Sequence, residues 1–232
     1  MTLERCAYCG GNDASTDDHV VPRALYPPAK ARSPAQRMKV PACLACNNGW
    51  SDDEAHFRNM LLIAGEPNLA VQELWDGKAR RSFGYSDGRR RLRDLVRQMV
   101  PIQTALGERH MVYPGRDERV MRIVRKVVRG LCHYHKLLTP VADGQVWGDV
   151  QRFDVPPAFL EEMTSAHAEA DILEYRFGVL DDRDIHSSWL LRFFERTAFF
   201  CIVYASIQAR ARVEDPAQED GAVHLTAGLP RP

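Results

Sequence analysis

The sequence has no apolar run of roughly eighteen residues, so it offers no segment that would span a bilayer as a helix. Its first residues, Met1-Thr2-Leu3-Glu4-Arg5-Cys6, lack the apolar core of a secretion signal, and a cytoplasmic protein is expected. In that compartment disulfides are disfavoured, so clustered cysteines are read first as metal ligands. No internal repeat and no low-complexity tract occurs, which argues against a solenoid or an extended linker. Net charge is also missing, with 31 Lys+Arg against 31 Asp+Glu. The balance hides a segregation. Residues 1–65 carry 7 basic against 7 acidic residues, residues 66–140 carry 16 against 8, and residues 141–232 carry 8 against 16. A basic middle can hold phosphates, or its charges can pair with the acidic last third; both readings stay open at this level.

What is present is the composition of a globular chain, 45% hydrophobic and 27% charged, long enough for a small module plus a larger region. The expected division is 1–65 and 66–232. The first part is dense in Cys, His, Asp and Asn and poor in apolar runs, so it needs a metal to hold it together. Pro22, Pro27, Pro28, Pro34 and Pro41 predict a long loop between its two cysteine pairs. One helix is expected from Cys43 past Leu62, then helices near 67–80 and 89–105 with a turn at Gly84, Asp87 and Gly88. A longer helix is expected over 116–137, with Val120, Ile123, Val124, Val127, Leu131 and Tyr134 on its apolar face. Arg119, Arg122, Arg125, Lys126 and Arg129 fill the positions between. Beyond 145 the pattern is mixed: a strand at 146–153, a helix at 157–166, and strands at 172–180, 189–194 and 198–205. Helical spacing at Leu190, Phe193, Phe194 and Thr197 competes with the last two. After Arg212 a frayed tail is expected. The fold class is α+β, with an antiparallel sheet in the larger region.

The strongest local signal is Cys6-Ala-Tyr-Cys9 with Cys43-Leu-Ala-Cys46. A two-residue gap lets one tight turn present both thiolates to the same ion, and four thiolates close a tetrahedral shell of the kind that suits structural Zn²⁺. Four reduced structural cysteines or two disulfides are the alternatives. Cys132 and Cys201 sit in apolar runs and are expected in the core.

Between the pairs lies Asp17-Asp18-His19-Val20-Val21-Pro22-Arg23, and the second pair runs into Asn47-Asn48-Gly49. In this order the motifs resemble the HNH endonuclease family over roughly residues 4–60. The resemblance implies a ββα-metal module, a hairpin and a helix around one divalent ion, with a separate four-cysteine zinc. It implies His19 as the general base that deprotonates water. It also implies Asp18 and Asn47 as oxygen ligands of Mg²⁺ or Mn²⁺. The implied activity is hydrolysis of nucleic acid phosphodiesters, double-stranded DNA before RNA, and a double-strand cut would need two modules and so a homodimer. The chain departs from the family at the middle Asn, which orients the histidine: Met38, in Gln36-Arg37-Met38-Lys39-Val40-Pro41, stands about where it should be. A backbone carbonyl or Gln36 is then expected to orient His19. A zinc-stabilised nucleic-acid-binding module without catalysis is the rival expectation. His56, Asp52, Asp53 and Glu54 follow Asn47 on the expected helix, mostly as a solvated face, and His133 and His135 are too close in sequence to share one. Lys78, Arg80, Arg81, Arg89–Arg91 and Arg93 are the basic residues best placed to follow a phosphate backbone.

Overall fold

The computed structural model describes residues 4–11, 13–28, 37–64, 68–103, 109–151, 154–169 and 171–214. Strand β1 (Thr16–His19) pairs antiparallel with β2 (Lys39–Ala42), setting Asp18 opposite Val40 and His19 opposite Lys39. Helices α1 (Leu44–Asn48) and α2 (Ser51–Ala64) follow directly. The single helix expected over this stretch is therefore two. It stops at Gly49, a poor helix former, and Trp50 turns inward to meet the Tyr8 ring edge-on at 6.0 Å. Much of the proline-rich loop, including Gln36, lies outside the described residues.

The next stretch differs most from expectation. Helix α3 (Leu69–Leu74) runs into a π-helical turn at Trp75–Ala79 and then α4 (Arg80–Phe83). Helix α5 (Ser86–Gln98) takes Asp87 and Gly88 into its first turn and ends before 105. Met99 is already extended, and Val100, next to Pro101, is disfavoured in a helix by the proline ring. Strands β3 (Val100–Gln103) and β4 (Arg109–Val112) pair there as a two-stranded hairpin, an edge setting that tolerates Pro101.

Helix α6 (Glu118–Tyr134) begins on Asp117, whose carboxylate accepts the Arg119 N–H, and it matches the periodicity read from sequence. It is buried nearly all round, because it packs on α2 and β2 with one side and on β5 and β9 with the other. The sheet after 145 is antiparallel with order β5-β9-β8-β7-β6. Its strands are β5 (Val146–Val150), β6 (Thr164–Glu169), β7 (Leu173–Val179), β8 (Ile185–Phe193) and β9 (Thr197–Tyr204). Residues 189–205 are thus two strands; helix α7 (Pro157–Glu162) is shorter than expected and gives way to β6. The β8–β9 turn puts Phe194 and Glu195 at φ of 50° and 63°, with Phe194 buried. Helix α8 (Ile207–Glu214) ends the described chain, and the tail beyond 214 lies outside it. One hydrophobic cluster runs from Tyr8 through Phe57 and α6 to Trp189 without a break at residue 65. Phe57 carries it across, meeting Phe193 edge-on at 5.1 Å. No helix among the described residues is long and apolar enough to cross a membrane.

Gly88 fixes how α5 leaves α4. A Cβ there would sit 1.8 Å from the Ser82 carbonyl oxygen, a backbone atom that cannot move aside. Gly88→Ala should therefore destabilise the protein by about 3 kcal/mol and lower Tm by roughly 5–10 °C, read by calorimetry.

Candidate metal centre and the Asp18–His19 strand

The metal cluster is built by two short turns. Gly10 N–H donates to the Cys6 carbonyl (2.9 Å) and Cys6 N–H to the Gly11 carbonyl (2.9 Å), closing the first knuckle. Gly10 has φ +72°, and a Cβ on it would stand 2.9 Å from Pro140 Cγ, so both the conformation and the space call for glycine. The Ala7 N–H bonds the Pro41 carbonyl (2.8 Å), which ties this knuckle to β2 and so to the second cysteine pair. The sulfurs of Cys6, Cys9, Cys43 and Cys46 all lie within 4.8 Å of one another, with Cys9 and Cys43 3.9 Å apart. A tetrahedral ion with sulfur bonds of about 2.3 Å needs sulfurs about 3.8 Å apart, so the four residues fit one metal ion such as zinc. No disulfide joins them. Among the described residues no other group of three or more His, Cys, Asp and Glu side chains converges in this way.

The thiols are prepared unequally. Burial raises the Cys6 pKa, but backbone hydrogen bonds from Cys43, Cys9 and Tyr8 outweigh it and bring it down to about 7. Cys46 is pushed up by burial and by its hydrogen bond with Cys43. A bound cation would let all four ionise together, since a metal binds thiolate rather than thiol.

Asn47 reaches back to β1. Its Nδ2 donates to Thr16 Oγ1 at 3.0 Å and to the Asp17 carbonyl at 3.5 Å. Asp17 is exposed, as is Arg23. His19 is half-buried, and its pKa is pushed down to about 4 by burial and by Arg23, Lys39 and Arg37, against a smaller opposite pull from Asp18. Met38 uses its carbonyl to accept the Val20 N–H at 3.1 Å and so continues the hairpin.

Asp18 is placed differently from its neighbours. It is 5% exposed, and its Oδ2 accepts from Tyr8 Oη at 2.8 Å and lies 2.8 Å from Lys126 Nζ. Burial and the nearby Asp18 carboxylate push the Tyr8 phenol far above its ordinary pKa, so it remains a donor. Lys126 has no exposed surface. It also pairs with Glu54 at 2.6 Å and donates to the His19 carbonyl at 3.2 Å. The structure therefore gathers Asn47, Thr16 and Asp17 at one part of β1, and Asp18, Glu54, Lys126 and Tyr8 in a buried network.

Lys126 is the residue that sequence reasoning missed, along with two companions. Arg122 bonds Asp53 at 2.6 Å, and Arg129 bonds the Tyr8 carbonyl at 2.6 Å and the Val141 carbonyl at 2.7 Å. Arg122, Lys126 and Arg129 recur at the helical i, i+4, i+7 spacing and so form one face of α6. That spacing was the available signal; read as surface charge, it passes unnoticed. His56 pairs with Tyr113 (2.9 Å) and Asp117 (3.3 Å). His133 and His135 go separately to Thr139 and Tyr175. Cys132 and Cys201 are fully buried, as expected.

No family model matches the chain, no curated protein matches it, and no solved structure matches it.

A metal ion should copurify at about one per chain, measured by plasma emission spectrometry, and Cys43→Ser should remove most of it. Lys126→Met should cost about 3–5 kcal/mol in urea unfolding, because it strands the buried Asp18 carboxylate, and the part-buried Glu54 beside it, without a counter-charge. A loss under about 1 kcal/mol would show that the network contributes little.

Proposed function

We propose that the chain is a metal-dependent HNH endonuclease acting on nucleic acid, double-stranded DNA first, with its N-terminal part a ββα-metal module stapled by Zn²⁺ on Cys6, Cys9, Cys43 and Cys46. The observation that carries this reading is the lacing of Asn47 onto β1 next to Asp18 and His19, downstream of a cysteine cluster that fixes both pieces. The first cysteine pair anchors the chain entering β1. The second anchors the helix carrying Asn47.

In this reading oxygens of Asp18 and Asn47 would hold a divalent ion, Mg²⁺ or Mn²⁺, which would supply positive charge to the scissile phosphate and its leaving oxygen. His19 takes the proton of the attacking water. Its depressed pKa keeps the ring neutral and its lone pair available at pH 7. The cations that depress it, Arg23, Lys39 and Arg37, also favour an anionic phosphate beside the ring. Such a phosphate in turn raises the ring's basicity toward neutral pH, where a general base works best. Lys126 holds the strand at the His19 carbonyl, a restraint the family draws from its middle Asn. Attack in line with the departing 3′ oxygen leaves 5′-phosphate and 3′-hydroxyl ends, by resemblance to the family. A double-strand cut by this module requires a dimer.

One observation favours a second reading, a zinc-stabilised nucleic-acid-binding module without catalysis. The carboxylate of Asp18 is already engaged by Lys126 and Tyr8, which competes with a role as metal ligand. Supercoiled plasmid incubated with Mg²⁺ or Mn²⁺ separates the two. On the nuclease reading the wild type nicks it, and His19→Ala lowers the rate at least about a hundredfold with zinc content and DNA affinity unchanged. Binding without nicking by the wild type would leave the binding module as the function.

A further inference from the structure

Helices α2, α4 and α5 enclose a groove of about 400 Å³ whose lining includes Arg58, Arg81, Arg91, Tyr85, Asp87 and Gly88. Three arginines line it, and none of the three forms an ion pair among the described residues. Arg58 spends Nε and Nη2 on the neutral Asn59 side-chain carbonyl (3.1 and 2.8 Å), and Arg81 donates Nε to the Gly77 carbonyl (3.2 Å). No ion pair among the described residues involves Arg91. The one acidic lining residue, Asp87, leans toward Arg90 at 3.9 Å. Burial and then the charge of Arg91 both lower the Arg58 pKa, as expected when two cations face each other across a gap with no anion between them. The basic residues of α6 contrast with this: Arg122, Arg125 and Lys126 all have carboxylate partners. Arg81 and Arg91 are the groove's two basic residues from the middle third, and Arg58 joins them from α2.

We propose that this groove is a phosphate-binding site that holds one backbone phosphate of duplex DNA away from the cutting residues. This rests on the nucleic-acid reading above, not on catalysis. Guanidiniums suit the ligand because their planar N–H forks match phosphate oxygens in pairs. Of the groove's two aromatic lining residues Phe83 is buried and Tyr85 largely exposed, so base stacking along a single strand has no ladder to follow. Gly88 lets the first turn of α5 close against Ser82 and complete the wall. The groove adds affinity that does not depend on base identity, and it sets where the duplex lies on the module.

The test is fluorescence anisotropy with a short labelled duplex and no added divalent ion, in the His19→Ala background, between about 50 and 200 mM salt. Arg91→Gln should weaken binding about five- to tenfold and make the slope of log affinity against log salt about one unit shallower; Arg81→Gln with Arg91→Gln should remove about two. Arg97→Gln, on the same helix but outside the groove, removes the same charge and should change affinity less than about twofold. The double variant binding as tightly as its parent would overturn the proposal. So would an equal loss in Arg97→Gln, which would mark a diffuse field rather than a site. Plasmid nicking is scored separately: its absence sinks catalysis, while the groove stands or falls on the binding slopes.

Discussion

A single ammonium group inside the protein fixes the relation between its parts. Lys126 is sealed from solvent, and its three bonds run to the Asp18 carboxylate, the Glu54 carboxylate and the His19 carbonyl. An ammonium in that setting is tolerable only when each proton has an acceptor and the charge is balanced nearby. The requirement is mutual, since the buried Asp18 carboxylate is no easier to bury alone. Strand β1, helix α2 and helix α6 are consequently held at one spacing. A shift of any of them breaks several charged hydrogen bonds at once. Such a network adds little net stability over an apolar core of the same volume, but it penalises alternatives heavily.

Helix α6 extends this principle. One face carries Arg122, Lys126 and Arg129 to the module, meeting Asp53, Asp18 and the Tyr8 backbone in turn. The helix also packs on strands β5 and β9 of the sheet, and its Val124, Val127, Val128 and Leu131 are all fully buried. Close approach is possible because Gly130 has no side chain: a Cβ there would sit 3.1 Å from both methyls of Val20. Polar specificity on one side and dry packing on the other make α6 the middle layer between the cysteine-bearing hairpin and the five-stranded sheet.

How much of this was legible depended on how local the cause was. The cysteine pairs were readable because each knuckle closes within a few residues, and α6 because its period is set by its own backbone. The strands at 189–205 were readable from β-branched and aromatic content, even with helical spacing in competition, because a sheet buries alternate residues such as Trp189, Leu191 and Phe193. The break at Gly49, the hairpin around Pro101 and strand β6 were not. Each replaces a helix that local propensity allows with a contact made elsewhere in the fold. Lys126 was least legible of all. Its partners Glu54 and His19 lie 72 and 107 residues away, and nothing in its neighbourhood distinguishes it from the arginines beside it. The same limit applies to the candidate residues: motif order singles out His19, Asp18 and Asn47, but only the folded chain shows the Asp18 carboxylate engaged by Tyr8 and Lys126.

The β8–β9 hairpin carries a further consequence. Its tip holds two consecutive residues in the left-handed region, a geometry that usually calls for Asn-Gly, yet the residues are Phe194 and Glu195. Phe194 is driven into the core, while Glu195 accepts a hydrogen bond from Asn68 Nδ2 at 3.2 Å. Asn68 is also the cap of α3, accepting the Val71 N–H at 2.9 Å. Hairpin tips are ordinarily where a protein absorbs added residues without harm. Here an added residue would pull a ring out of the core and release the start of a helix far away in sequence. Length variation, natural or engineered, is therefore closed to this tip and left to connections that bear no such weight.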